Sequence, residues 1–120
     1  MDIETLREFC LRQPGVTESM PFGDTVLVFK VQGKIFLLAS LDTHPLQFNV
    51  KCEPERALEL RDTYDCIQPG YHMNKKHWNT VVVNGQLSTA QLEEQILHSY
   101  TEVVRKMPKP ASSPKKKPRN

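Results

Sequence analysis

The sequence lacks any long apolar run. Its apolar stretches, such as residues 35–39 and 81–83, fall far short of the roughly 20 residues that a membrane-spanning helix needs. No charged segment followed by an apolar one opens the chain, so the sequence also offers no signal peptide. We therefore expect no membrane insertion and a cytoplasmic location.

Cysteine is scarce as well. The three cysteines, Cys10, Cys52 and Cys66, are odd in number and far apart in the chain. Small secreted domains are stabilised by an even set of closely spaced cysteines, and this set does not fit that pattern. The cysteines therefore favour a reducing compartment over an extracellular one.

The common catalytic motifs are also missing: the chain contains no Gly-rich phosphate loop, no G-x-S-x-G and no H-E-x-x-H. Cys66 with Asp65 and either His72 or His77 could in principle supply a nucleophile, an orienting acid and a base, but nothing in their spacing brings them together. His72 and His77 have four residues between them, as at some zinc sites, yet Cys66 lacks the second cysteine of a C-x-x-C pair. We expect no enzymatic activity, no cofactor and no metal.

Negative charge is absent from the end of the chain. The last twelve residues carry five of the 16 cations and no acid, which leaves 11 cations against 14 acids in residues 1–108. That part of the chain is mildly acidic, so any surface for nucleic acid must be a local patch with the acids placed elsewhere. The end itself is rich in Pro, Ser and Lys, a composition that cannot offset the entropy of ordering. We predict one domain over residues 1–108 and a disordered tail over residues 109–120.

Hydrophobic periodicity predicts helices towards both ends of the chain and strands grouped mainly in the middle. Apolar residues recur at helical spacing over residues 2–13 and after Ser88, which with Gln91 fits a capping box. β-branched and aromatic residues flank a Gln32-Gly33 turn, and apolar residues alternate with polar ones over residues 46–51. The predicted elements are helices over residues 2–13, 54–63 and 88–107, and strands over residues 26–31, 34–40, 46–51 and 78–83. Strands that are grouped in the middle favour an antiparallel sheet covered by helices, which is the α+β class.

The segment PGYHMNKKHWNT, residues 69–80, fits neither a buried strand nor an amphipathic helix. Its cations, imidazoles and flat rings are the side chains that hold phosphates and stack on bases. A structural interpretation is also open, in which Trp78 begins a strand and fills the core, Tyr71 packs over the turn and the lysines are solvated. Similarly, Phe22 in the PFGD turn is expected to pack into the core.

Several phrases together resemble the MmcQ/YjbR family of small bacterial proteins: PFGD, FKVQGKIF, KCEPERALELRD, PGYHMNKKHWNT and HSYTEVVRKMPK. The resemblance covers nearly all of residues 1–108 and excludes the tail. It implies a CyaY-like or double-wing α+β domain and a DNA-binding role. The contact surface that the resemblance implies consists of Tyr71, His72, Asn74, Lys75, Lys76, His77, Trp78 and Asn79.

We therefore expect a monomeric, non-enzymatic protein that binds DNA, with Lys75 and Lys76 on phosphates and Tyr71 and Trp78 as stacking faces. The basic tail would add attraction that is independent of nucleotide sequence. The alternative is a module for a protein partner or a small ligand, in which the same aromatic segment forms an apolar hot spot.

Overall fold

The computed structural model describes residues 1–70 and 73–106. Tyr71, His72 and the predicted tail over residues 109–120 lie outside the described residues. The described elements, in chain order, are α1 (Ile3–Leu11), β1 (Val16–Ser19), β2 (Val26–Val31), β3 (Lys34–Ser40), β4 (Gln47–Lys51), α2 (Pro54–Thr63), β5 (Ile67–Pro69), β6 (Trp78–Val82) and α3 (Thr89–Arg105). The strands form one antiparallel sheet in the order β1-β2-β3-β4-β6-β5. This confirms the α+β prediction.

All three helices begin at side-chain caps. The Asp2 carboxylate accepts a hydrogen bond from Thr5 N at 2.8 Å, and Ser88 and Gln91 form the predicted capping box. Pro54 occupies the first turn of α2, where its missing N–H costs nothing. None of the helices in the described part of the chain is both long and apolar enough to span a bilayer.

The β2–β3 hairpin was predicted with its observed bounds. Its two turn residues, Gln32 and Gly33, both have positive φ, at 50° and 79°, which matches the right-handed twist of the flanking strands. A bulge follows, because Phe29 pairs with Leu37 whereas Lys30 pairs with Ile35. The extra residue places Phe36 beside Leu37 on the core side, and both are fully buried.

The edge strands β1 and β5 were not predicted. Strand β1 has only four residues, of which three are polar, and β5 has three residues that include Pro69. Proline is tolerated at the edge of a sheet because no second neighbour needs its N–H. Such short strands form through pairing with β2 and β6, and their own sequences carry little signal.

The helices cover one face of the sheet. Phe29, Leu37 and Val50 occupy paired positions on that face and join α1 and α3 in a single apolar cluster. The alternate positions, among them Lys30, Lys51 and Trp78, project from the opposite face because strand side chains alternate. Phe22 corrects our expectation of a core contact: its side chain, on the β1–β2 connection, is 61% exposed and lies outside the described apolar cluster.

Candidate nucleic-acid interface

A tight turn over residues 74–77 presents Lys75 and Lys76 to solvent. The Asn74 side-chain oxygen accepts a hydrogen bond from Lys76 N at 2.9 Å. The Asn74 carbonyl accepts from His77 N at 3.1 Å and from Trp78 N at 3.0 Å. The hydrogen bonds of Asn74 therefore stabilise the turn, and Lys75 and Lys76 are exposed at the tip of the turn.

Arg61 of α2 fixes this turn from the helix side. Its Nε donates to Asn79 Oδ1 at 2.7 Å, and its Nη2 donates to the Trp78 carbonyl at 3.1 Å and also to the Lys75 carbonyl. One guanidinium thus joins the two ends of the lysine-bearing turn to a helix. A planar group with several fixed donors suits this bridging, and a lysine could not reproduce it.

Asn79 corrects part of the predicted contact surface. Its side chain is fully buried at 0% exposure, and its oxygen is engaged by Arg61. Its position in β6 pairs with Val50, so it projects to the helix-covered face. Asn79 therefore positions the turn and does not reach a ligand on the surface.

Trp78 begins β6 and is partly buried. Gly70 lies so close that a Cβ added to it would be 2.8 Å from Trp78 Cβ, and Gly70 N donates to the Trp78 carbonyl at 2.8 Å. The described core cluster does not include Trp78. Its ring thus belongs to the face of the sheet that the helices leave uncovered.

His77 is held by its backbone next to the start of α2. Its carbonyl accepts from Cys52 N at 2.7 Å, and its buried Nδ1 has no hydrogen-bond partner among the described residues. The backbone of this predicted contact residue is therefore fixed, while its side chain is partly withdrawn from solvent.

Three further lysines converge on the same end of the sheet. The register places the β2–β3 turn, the end of β4 and the start of β6 at one end, because Val31 pairs with Lys34 and Lys51 pairs with Trp78. We call this end, defined by Lys30, Lys34, Lys51, Lys75 and Lys76, the lysine end. Sequence reasoning missed its first three members, since they are far apart in the chain and only strand order brings them together.

Carboxylates on the connecting loops lie at the other end of the sheet. Asp24, Asp42 and Asp65 occupy the β1–β2, β3–β4 and α2–β5 connections, all opposite the lysine end. The sole acid within the described strands is Glu18, which pairs with Arg7 at 2.6 Å; this contact lowers the pKa of Glu18. Glu53 does lie near the lysine end, but its carboxylate accepts hydrogen bonds from the first amides of α2.

The described lysines of this end are not neutralised. Among residues 1–70 and 73–106, the ion pairs are formed by Arg7 with Glu18 and by Arg105 and Lys106 with Glu102. Apart from Glu53 and Glu55 at the start of α2, the described residues therefore form a local cationic patch at the lysine end of a mildly acidic domain.

The alternative chemistries find less support in the described geometry. Cys66 comes just before β5, and its carbonyl accepts a hydrogen bond from Val82 N at the end of β6. His77 comes just before the start of β6. The five residues of β6, about 16 Å of extended chain, therefore separate Cys66 from His77. Burial raises the pKa of the Cys66 thiol, of Cys52 to about 11 and of Cys10 to about 12. Thiols with raised pKa values are poor nucleophiles at neutral pH. Within the described residues, no group of three His, Cys, Asp or Glu side chains could hold a metal ion.

Comparison with known proteins places the chain in one family. The YjbR family model matches residues 11–102. The protein YbdF of Escherichia coli O157:H7 is 41% identical over 101 residues, covering 84% of this chain and 83% of its own. The protein YjbR of Escherichia coli K12 is 29% identical over 108 residues, covering 90% of this chain and 92% of its own.

Solved structures agree in fold. Deinococcus radiodurans protein DR2400, described as a DUF419 domain, has a TM-score of 0.83 at 38% identity, with 87% of this chain and 79% of that one covered. A Pseudomonas syringae protein has a TM-score of 0.70 at 24% identity, with 82% and 96% covered, which supports the fold alone. The chain therefore belongs to the YjbR family.

Proposed function

We propose that this protein is a non-enzymatic nucleic-acid-binding protein that holds DNA at the lysine end. The observation that carries the proposal is the separation of charge along the sheet, with lysines at one end and loop aspartates at the other. Lysines that lack carboxylate partners can neutralise phosphates and release counterions, which drives binding that is independent of sequence.

The turn over residues 74–77 is the centre of the proposed interface. Lys75 and Lys76 are exposed on a backbone that Asn74 and Arg61 hold in place. A fixed turn loses less conformational entropy on binding than a mobile loop does. Asn74 and His77 stay within the predicted contact surface, as do Tyr71 and His72, which lie outside the described residues, whereas Asn79 supports the surface from inside.

Binding of labelled duplex and single-stranded DNA to the full chain at two salt concentrations tests this proposal. The Lys75→Ala/Lys76→Ala variant should bind more weakly for all DNA sequences, and its salt slope should fall by about 2, one unit for each phosphate contact. Arg12→Ala/Lys106→Ala removes the same charge from two helix ends and should have a smaller effect.

A tail variant separates the turn from the basic end of the chain. Lys115→Gln/Lys116→Gln/Lys117→Gln keeps the chain length and removes three cations outside the described residues. If this change abolishes binding while the Lys75/Lys76 variant binds normally, the proposed interface is wrong and attraction comes from the tail alone.

A protein-binding role is the second candidate. Met20, Phe22 and Leu41 are 43%, 61% and 38% exposed on two neighbouring loops, which are linked by a bond from Leu41 N to Thr25 O. Exposed apolar side chains grouped in this way are typical of protein contacts. Absence of DNA binding by every variant, together with a partner whose binding is insensitive to salt, would favour this role.

A further inference from the structure

The lysine end has a distinct surface on the helix-free face of the sheet. Lys51 and Trp78 are directly opposite each other in β4 and β6, which places their Cβ atoms about 5 Å apart. Lys30 of β2 projects from the same helix-free face of the sheet. Strand β2 lies three inter-strand spacings from β6, so about 14 Å separates Lys30 from Trp78 across the sheet. The Lys75–Lys76 turn immediately precedes Trp78 at the same end of the sheet.

Polar side chains extend the surface along the strands. Asn49 lies two residues before Lys51 on the same face, and its oxygen accepts a hydrogen bond from Thr80. This bond leaves the Asn49 amide hydrogens as donors on the surface. The row therefore combines cations, one indole ring and amide donors.

The charges of the helices do not suit insertion into the major groove of a DNA duplex. Each of the three carries more carboxylates than cations: two against one in α1, three against two in α2 and three against one in α3. A helix that enters the major groove approaches phosphates on both sides, so an acidic helix is repelled. The helices also lie on the face of the sheet opposite Trp78 and Lys51.

A sheet surface with a ring beside cations suits a single strand instead. In a duplex the bases are stacked inside, where a partly buried indole on a sheet cannot reach them. In a single strand each base exposes its flat face and can stack on an aromatic side chain, which contributes about 1 to 3 kcal/mol per base.

We propose that single-stranded nucleic acid crosses the helix-free face from Lys75 and Lys76, past Trp78 and Lys51, to Lys30, with one base stacked on Trp78. This inference rests on the proposed function, since it names the form of nucleic acid and its path. The phosphates follow the lysines, and the stacked base lies between the Lys75–Lys76 turn and Lys51.

Trp78 is the sole tryptophan in the chain, so its fluorescence reports directly on this contact. Titration of the full chain with an oligo(dT) strand should quench Trp78 emission as the base stacks. A duplex with the same number of phosphates should bind more weakly and leave the emission nearly unchanged.

Lysine variants test the path. Lys51→Ala and Lys30→Ala should each weaken binding to oligo(dT) and lower the salt slope by about 0.7, the value for one phosphate of a single strand. Arg12→Ala, which removes a cation from the end of α1, should leave that slope unchanged.

Ring variants test the stacking. Trp78→Leu should weaken binding to oligo(dT) by about 5-fold to 150-fold. Trp78→Phe should weaken it less, because a phenyl ring can still stack on a base. Circular dichroism shows whether each variant folds. If Trp78→Leu does not fold, the quenching of the wild-type protein and the Lys51→Ala result still decide the question.

The outcomes separate the two proposals. Tighter binding of the duplex without quenching, still weakened by Lys75→Ala/Lys76→Ala, would overturn the single-strand inference and leave the DNA-binding proposal standing. Single-strand binding that neither quenches Trp78 nor depends on Lys51 would overturn the path across this face. Absence of binding to either nucleic acid would overturn both proposals.

Discussion

Arg61 is the residue on which the candidate interface depends most directly. It reaches from α2 to three acceptors, namely the Asn79 side chain and the carbonyl groups of Lys75 and Trp78. The exposed turn and the buried start of β6 therefore share one donor group. Because Asn79 is fully buried, loss of this partner would leave its oxygen without a hydrogen bond in the protein interior.

We expect Arg61→Lys to destabilise the protein by roughly 1–3 kcal/mol, since one ammonium group cannot serve three separated acceptors. The change should also speed amide exchange of Lys76, His77 and Trp78. Urea unfolding and hydrogen exchange measure the two effects. Arg56→Lys, on the same helix, is the matched control and should change neither. Equal stability of the Arg61 and Arg56 variants would contradict the proposed clamp.

His98 couples stability to pH. Its Nε2 accepts a hydrogen bond from Glu53 N at 3.1 Å, a contact that needs the neutral ring. Burial is the main cause that lowers the pKa of His98, and nearby Arg56 acts in the same direction, whereas Glu102 and Glu53 oppose them. A histidine with a lowered pKa favours the folded state above the unfolded pKa, and this contribution is lost as the pH falls.

The free energy of unfolding should therefore decrease as the pH is lowered from about 7.5 to about 5.5. This range begins above the unfolded histidine pKa of about 6.5. His98→Gln keeps an acceptor for Glu53 N but does not titrate, so its stability should change less over this range. Urea unfolding at both pH values provides the measurement. An equal loss in the variant would assign the effect to other groups.

At the scale of elements, α3 combines a local cap at its start with a contact that is distant in sequence. Ser88 Oγ accepts from Gln91 N at 3.2 Å, and the Gln91 side chain accepts from Ser88 N at 2.8 Å. Further along, Ser99 Oγ accepts from Lys51 N at 2.8 Å, which attaches α3 to the end of β4. The helix thus begins at a local signal and is oriented by a contact distant in sequence.

Ser88→Ala removes the side-chain half of this cap and should cost about 1 kcal/mol of stability. Thr89→Ala, at the first helical position, should have almost no effect because the Thr89 side chain is exposed and does not form the cap. Urea unfolding of the two variants distinguishes a specific cap from a general preference of the segment. A loss of the same size in both would exclude the capping explanation.

At the scale of the whole molecule, positive and negative charge are separated along the sheet. The lysines lie at one end of the sheet, and Asp24, Asp42 and Asp65 lie at the other end. Such a distribution orients a polyanion before contact, and its main effect is on the rate of association. Salt shortens the range of this field, from a Debye length of about 10 Å at 0.1 M to about 3 Å at 1 M.

Lys34→Glu should therefore slow association with nucleic acid several-fold at low salt and have little effect near 1 M salt. Lys34 is exposed at the rim of the lysine end, so the dissociation rate should change less than the association rate. Stopped-flow measurement of Trp78 emission gives both rates. A change confined to dissociation would indicate a direct contact at Lys34 instead of steering.

Local patterns in the sequence were sufficient for most elements of the fold. The caps of Asp2 and Ser88, the Gln32-Gly33 turn and the apolar periodicity each depend on neighbours within a few residues, and the structure confirms them. They also predicted the α+β class. The edge strands β1 and β5 escaped prediction because their pairing partners, and not their own residues, stabilise them.

The sequence by itself also determined that Lys75 and Lys76 lie in a polar segment that fits neither a buried strand nor an amphipathic helix, and Asn74 forms the observed turn within that segment. Tertiary structure alone decided the burial of Asn79, the exposure of Phe22 and the convergence of Lys30, Lys34 and Lys51 on that turn. The physical reason is that burial and proximity in a sheet follow from strand order and register, which join residues that are up to about fifty positions apart in the chain.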